Sequence, residues 1–207
     1  MTFWILAIIV CGYLVGCLHG STVARWISGV NLKEAGVKNA GASNAMIVLG
    51  KRYGALVALI DIGKGVFAVI AVRLLANHFG LSADQITLLL FVTGVAVIFG
   101  HNFPFHMKFN GGKGTATVIG VLFAIDWRFG LAGFILFILV ALITDVLVIG
   151  VIMLYITLLA MAIMLGNTWA ILVAVLLFLI AIWKHIENLK RIRIGTEPRI
   201  RASFKKK

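Results

Sequence analysis

Residues 146–165 read VLVIGVIMLYITLLAMAIML, twenty positions without a charge. At about 1.5 Å per residue, a helix of that length covers the ~30 Å of hydrocarbon in a bilayer, where the backbone finds no partner but itself. Working outward, Asp145 separates the stretch from apolar residues 129–144, and Gly166-Asn167-Thr168 separates it from apolar residues 169–183. Cutting the chain wherever Gly, Asn, Pro or charge interrupts gives seven segments: 3–23, 53–76, 86–100, 114–125, 129–144, 146–165 and 169–183. This predicts an all-α integral membrane protein with about seven transmembrane helices in one domain, 1–207. Segment 114–125 is too short to cross alone, and the count is six if it forms a broken unit with 129–144.

Composition agrees. Of 207 residues, 62% are apolar and 13% charged, and the net charge is +12. A soluble nucleic-acid binder gains basicity by enriching charge, so a charge-poor chain with a mean hydropathy of +1.09 excludes that class. Sixteen of the nineteen Lys and Arg residues fall in alternate connections and the tail, and the intervening loops hold only Arg128. The positive-inside rule then places the N-terminus outside and the C-terminus in the cytoplasm, with the basic tail, 201–207, near anionic headgroups. The N-terminus has no basic region before its apolar run and no cleavage signature after it, and is expected to be a first span that stays. Cys11 and Cys17, six apart, would not face each other on a helix and read as small apolar fillers.

The polar chemistry collects in three segments, 31–52, 100–117 and 184–200, all on the face expected to be cytoplasmic. In the first, Gly36-Val37-Lys38-Asn39-Ala40-Gly41-Ala42-Ser43-Asn44 is a run of small and amide residues. Such a run folds tightly, turns the chain or presents backbone amides to an anion. In the second, Gly111-Gly112-Lys113-Gly114 precedes an apolar helix, so amides, a helix N-terminus and an ammonium meet where a phosphate would bind. It is not a nucleotide P-loop, because Met107 and Gly114 stand where that motif needs Gly and Ser or Thr. In the third, His185, Asn188 and Arg191 share a helix face; the plainer reading is a snorkelling amphipathic end with Glu187 and Arg191 paired.

Asp61 and Lys64 lie one helix turn apart inside an apolar span, and read either as a cavity wall or as a structural ion pair. Asp145 marks a tight turn, and His19 reads as a satisfied interior histidine. No metal-ligand spacing emerges: His101 and His106 are five apart without a cysteine. The His-x-x-x-x-Asp pattern of many lipid acyltransferases is missing.

Together, Asn39-Ala40-Gly41-Ala42-Ser43-Asn44 with Leu49-Gly50-Lys51, Asp61 with Lys64-Gly65, Gly100-His101-Asn102-Phe103-Pro104 through Thr117, and His185-x-x-Asn188-x-x-Arg191 with Gly195-Thr196-Glu197 resemble the bacterial acyl-phosphate:glycerol-3-phosphate acyltransferase (PlsY) family, from about Gly12 to Ile200. The resemblance implies seven helices, an outside N-terminus and an active site on the cytoplasmic face of a bacterial cell membrane. It implies transfer of a fatty acyl group from acyl phosphate to the 1-hydroxyl of glycerol 3-phosphate, with no cofactor and no metal. The partners implied are the two substrates, the lipid bilayer and the soluble enzyme that makes acyl phosphate; no nucleic acid is expected. His185, Asn188 and Lys113 are the implied catalytic residues. Lys38, Asn39, Gly41, Ser43, Asn44, His101, Gly111, Gly112, Gly114, Thr117 and Arg191 are the implied substrate contacts, and Asp61, Lys64 and Glu197 the structural ones.

The chain departs from the usual family pattern at Gly16-Cys17-Leu18-His19 (Gly-Ser-Ile-Pro), at Gly36-Val37-Lys38-Asn39 (Gly-Ser-Gly-Asn), at Ile47 (arginine) and at Thr144-Asp145-Val146-Leu147-Val148 (Thr-Arg-Tyr-Val-Ser). Lys38 is a candidate to replace the lost positive charge. A same-fold acyltransferase with a different acceptor or donor, and a non-catalytic transporter or scaffold, are the competing readings. A transporter should show internal repeats, and the span pattern has none.

Overall fold

A computed structural model describes residues 1–205; Lys206 and Lys207 of the basic tail lie outside the described residues. It is all-helical apart from one isolated bridge, Val146 to Arg199. In order the helices are α1 (Thr2–Gly16), α2 (Gly20–Ser28), α3 (Ala42–Leu49), α4 (Lys51–His78), α5 (Ala83–Asn102), α6 (Thr115–Ile125), α7 (Trp127–Thr144), α8 (Leu147–Met164), α9 (Thr168–Lys184), α10 (Ile186–Arg193) and α11 (Ile200–Lys205), with a 3₁₀ turn at Phe105–Met107. Among the described residues five spans are long and apolar enough to cross a bilayer, the first being α1 and α2 together; α9 and α10, bent by 47°, make a sixth if the bent pair is one span. The 11 residues of α6 reach only about 16 Å.

Helix α1 runs along α5, α4 packs on α3, α5 and α6, and α7, α8 and α9 follow as sequential neighbours. The largest apolar cluster joins Phe91 and Ile98 of α5, Leu122 of α6, Leu154 and Leu158 of α8, and Leu177 of α9. Outward positions such as Leu59, Phe67, Ile143 and Leu179 are exposed, as lipid-facing side chains are. In lipid the hydrophobic effect does not drive helices together, and close backbone approach takes over. A Cβ on Gly16 would lie 2.9 Å from the Gly100 Cα, and one on Gly65 would lie 2.6 Å from the Thr117 carbonyl oxygen. Those glycines press the end of α1 against the end of α5, and the middle of α4 against the start of α6.

The break between α1 and α2 exposes backbone groups that lipid cannot satisfy. The Lys64 ammonium, from α4, donates to Gly16 O at 3.0 Å and Leu18 O at 2.6 Å, and the Gly20 amide donates to Asp61 Oδ1 at 3.2 Å. Lys64 and Asp61 pair at 3.0 Å, both buried. The ion pair thereby clasps the two sides of a broken span. Asp145 forms the expected tight turn with φ +58. Its carboxylate accepts the Arg201 amide at 2.8 Å and its carbonyl the Ile200 amide at 3.3 Å, which docks the C-terminal segment on the α7–α8 connection. Cys11 is exposed, Cys17 is buried, and both are free.

Candidate active site

Beyond α5 the chain turns back on itself. The amide of Phe109 donates to Pro104 O at 3.0 Å, that of Gly111 to Asn102 O at 3.1 Å and that of Gly112 to His101 O at 3.1 Å. Lys108 and Phe109 adopt positive φ to make the reversal, and Gly114, φ +81, caps α6. The expectation that the Gly111 and Gly112 amides hold phosphate is therefore corrected, because both are spent on the end of α5. Their glycine identity is steric instead: a Cβ on Gly111 would come 2.6 Å from Pro104 Cδ, and one on Gly112 would enter the His101 ring. Amides without an intrahelical partner remain at 115–117, where the first bond back along α6 is Val118 to Gly114. Gly112→Ala is expected to displace the loop and lower turnover by roughly 10²-fold, measured on protein whose folding is checked by thermal unfolding.

Lys113 leaves this loop half-buried and donates to Asn188 Oδ1 on α10. Asn188 Nδ2 donates to Glu197 Oε1 at 2.6 Å, and Arg191 Nε donates to Glu197 Oε2 at 2.7 Å. The amides of Thr196 and Glu197 bond to Arg191 O at 2.8 and 3.2 Å, closing the segment. The sequence-based pairing of Arg191 with Glu187 is thus corrected: buried Glu197 takes Arg191, because the chain after α10 folds back onto it. Burial, then the nearby Arg191, pushes the Lys113 ammonium down to about 8; Glu187 and Glu197 oppose the shift. His185 sits at the α9–α10 bend with its Nδ1 2.8 Å from Ala181 O. A carbonyl only accepts, so Nδ1 carries the proton and Nε2 keeps a bare lone pair.

The first loop is organised by Asn44. Buried at the start of α3, it accepts the Val37 amide at 2.9 Å and donates to Leu32 O, Ala35 O and Asn39 O at 2.8, 3.0 and 2.9 Å. Both ends of its amide are occupied, so its expected role as a substrate contact is replaced by a structural one. Lys38 is exposed with φ +54; Asn39, Gly41 and Ser43 are half-buried beside it.

Two cations that sequence reasoning counted only for topology tie the segments together. Lys33 donates to Asn110 Oδ1 at 2.8 Å, linking the first loop to the glycine loop. Lys184 donates to Asn102 O at 3.3 Å and lies 4.8 Å from the Phe103 ring centre, linking the third segment to the second. No spacing marks either residue in the sequence, because their partners lie 77 and 82 positions away.

His101 and Thr117 do not line this surface. His101 is buried beneath Gly112, its Nδ1 2.7 Å from Lys64 Nζ, and Thr117 is fully buried in the first turn of α6. Their assignment as substrate contacts is corrected to support of the loop from behind. His19 stacks on His101 with ring centres 4.5 Å apart, and neither of its nitrogens has a hydrogen-bond partner among the described residues, against the reading of a satisfied histidine. The structure also assembles what the spacing did not suggest: donor atoms of His19, Asp61 and His101 lie within 4.8 Å of one another. The Lys64 ammonium, touching both Asp61 and His101, already holds a cation's place there.

Beside the Lys113 network a small apolar slot with a cavity volume of about 30 Å³ runs between α8 and α9, lined by Val148, Val151, Tyr155, Phe178 and Ile182 and including His185. A cationic, hydrogen-bonded surface next to an apolar slot, at one end of a helical bundle with membrane-type spans, is the class of site this fold presents. The family model for glycerol-3-phosphate acyltransferase matches residues 6–195, and the chain belongs to that family. It is 42% identical over 95% of both chains to glycerol-3-phosphate acyltransferase 1 of Oceanobacillus iheyensis. It is 36% identical to glycerol-3-phosphate acyltransferase 1 of Deinococcus radiodurans, over 97% of this chain and 98% of the other. Among solved structures, PlsY (YgiH), an integral membrane glycerol 3-phosphate acyltransferase, is similar in its glycerol 3-phosphate form, with a TM-score of 0.82 and 29% identity over 95% of both chains. The lysophosphatidic acid form of PlsY matches with a TM-score of 0.79, at 29% identity over 94% of both chains.

Proposed function

We propose that this protein transfers a fatty acyl group from acyl phosphate to the 1-hydroxyl of glycerol 3-phosphate, giving lysophosphatidic acid and inorganic phosphate. The observation that carries this reading is the meeting of the Lys113–Asn188–Glu197–Arg191 network with an apolar slot at His185. Acyl phosphate is an activated mixed anhydride, so the protein has mainly to align an alcohol and neutralise two phosphates. Lys113 and Arg191 supply positive charge, Glu197 holds Asn188 and Arg191 in place, and Nε2 of His185 accepts the hydrogen bond of the attacking hydroxyl. The proton ends on the departing phosphate. Lys38, Asn39, Gly41 and Ser43 of the first loop contact the acceptor. The slot takes the acyl chain, and hand-over from the soluble enzyme that makes acyl phosphate suits a donor presented at a membrane surface.

The same reading places the N-terminus outside and this face in the cytoplasm of a bacterial cell, with α6 as a seventh, partial helix. The basic asymmetry supports that orientation. A reporter fused to the C-terminus is expected to be active only in the cytoplasm; activity outside would overturn it. The catalytic test is purified protein with palmitoyl phosphate and glycerol 3-phosphate, tracking lysophosphatidic acid and phosphate. No product above a His185→Ala background, from folded protein, would sink the proposal.

Lys113 also predicts a pH profile. Its charge is present below about 8 and is lost as pH rises through that value, so kcat/KM for the anionic substrates should fall on the alkaline side. A profile flat from pH 7 to pH 9.5, values that bracket the titration by about a unit on each side, would remove Lys113 from phosphate binding.

A different acceptor is the second reading, favoured by Val37, Ile47 and Val148, which are apolar where the family resemblance leads one to expect serine, arginine and serine. Ile47 is exposed on α3, and buried Val148 lines the slot. Competition of other polyol phosphates against glycerol 3-phosphate separates the two.

A further inference from the structure

At the end of α5 remote from the glycine loop lies a cavity of about 320 Å³, far roomier than the slot at His185. It sits between the last turns of α4, the first turns of α5 and the ends of α6 and α8. Thr87 in this cavity and Asn102 at the glycine loop are about 22 Å apart along α5, so the cavity is separate from the Lys113 network. Three of its lining side chains are polar: Arg73 and Asn77, one turn apart on α4, and Thr87 on α5. Ile86, Leu90 and Leu165 line it with hydrocarbon. Asn77 and Leu165 are exposed, so the cavity opens at the surface of the bundle.

Arg73 places a cation inside an apolar span, where charge is costly without a counter-charge. Among the described residues Arg73 makes no ion pair, and Asp126, which follows the cavity residue Ile125, is taken by Arg128 at 2.8 Å. Its one side-chain hydrogen bond runs from Nη2 to Ile125 O at 2.6 Å and caps the last turn of α6; its buried Nε has no partner. Capping α6 uses one donor, whereas a guanidinium carries five in a plane and a charge besides.

The partner this arrangement lacks is an anion with oxygens for a guanidinium, an amide and a hydroxyl, in a volume at the lower end of the ~300–1,000 Å³ of small-molecule sites. A phosphate ester meets that description. Leu74, Leu75 and Phe79, beside Arg73 and Asn77 in the chain, are exposed and apolar, so the rest of such a ligand lies against hydrocarbon. We propose that Arg73, with Asn77 and Thr87, binds the phosphate of an anionic phospholipid of the bilayer, whose chains lie along the exposed apolar residues at the end of α4. On the orientation proposed above, that lipid belongs to the outer leaflet. The binding itself does not depend on acyl transfer.

The test follows the unfolding temperature of the full-length protein in neutral detergent as dioleoylphosphatidylglycerol, dioleoylglycerol or inorganic phosphate is added. Wild type is compared with Arg73→Gln, Asn77→Leu and Lys113→Met. The expected result is a saturable rise with phosphatidylglycerol in wild type and Lys113→Met, displaced to about tenfold higher lipid in Arg73→Gln. Asn77→Leu removes an exposed amide, so the fold should hold, and it should need about threefold more lipid. Dioleoylglycerol, which lacks the phosphate, should give no such rise. Phosphatidylglycerol curves that coincide for wild type, Arg73→Gln and Asn77→Leu overturn the site, as does an equal rise with dioleoylglycerol or no rise with any lipid. If Arg73→Gln fails to fold, Asn77→Leu decides alone. A rise with inorganic phosphate that Lys113→Met keeps and Arg73→Gln loses, with none from the lipid, overturns the lipid in favour of a free phosphate.

Discussion

Lys113→Met should lower kcat/KM for acyl transfer by about 10²–10³-fold while leaving the unfolding temperature at pH 7 unchanged or higher. The two halves of that result have one cause. Burial and Arg191 depress the Lys113 ammonium to about 8, far below its ordinary value, so the folded protein holds the charge less readily than the unfolded chain does. A group with that sign detracts from stability while it is charged, and removing the charge relieves the cost. A bound phosphate reverses the balance, because it supplies the counter-charge that burial withholds. The measurement is steady-state kinetics alongside thermal unfolding, with phosphate added as a stabilising ligand. Lys113→Met should lose phosphate's stabilisation together with activity. Wild-type activity in this variant, or a large loss of stability with no ligand present, would show that Lys113 is a structural clasp between the glycine loop and α10.

The other large effect is on the fold. Asp61→Ala and Lys64→Met are each expected to destabilise the protein by about 3–5 kcal/mol, because each leaves a buried charge unpaired. Replacing both, as Asp61→Leu with Lys64→Met, removes the unpaired charge but still strands the carbonyls of Gly16 and Leu18 and the amide of Gly20. The double variant should therefore recover only part of the loss, whereas an ordinary buried pair tolerates joint apolar replacement. Unfolding temperatures in one detergent decide the matter. Single-variant losses below about 1 kcal/mol would place the pair at a surface rather than at a helix break.

Much of the architecture was legible because lipid imposes one rule on every residue of a span. Residues 146–165 and their neighbours had to be helical, and α8, at Leu147–Met164, lies within a residue of that reading. The break at 17–19 was not seen: its cost is met by Lys64 and Asp61, more than forty positions away. The glycine loop, Lys113, His185 and Asn188 stood out as motif residues, and the structure brings Lys113 and Asn188 into contact. The roles of Asn44, His101, Gly111 and Gly112 came out differently, because a residue type shows that an amide or a small side chain is required but not what it touches. Lys33 and Lys184 were hidden among bases whose abundance topology already explained.

By itself the sequence determined the features that local chemistry dictates: helices wherever about twenty apolar residues run together, loops where glycine, asparagine and charge interrupt, and a basic excess in alternate connections and the tail. The tertiary structure alone decided which of those charges meet. Glu197 rather than Glu187 takes Arg191, and Lys64 reaches Asp61, His101 and the carbonyls of a broken span. The physical reason is that hydropathy and propensity act along the chain, whereas hydrogen bonds and ion pairs act across a few ångströms of space. That distance is set only once the helices have packed.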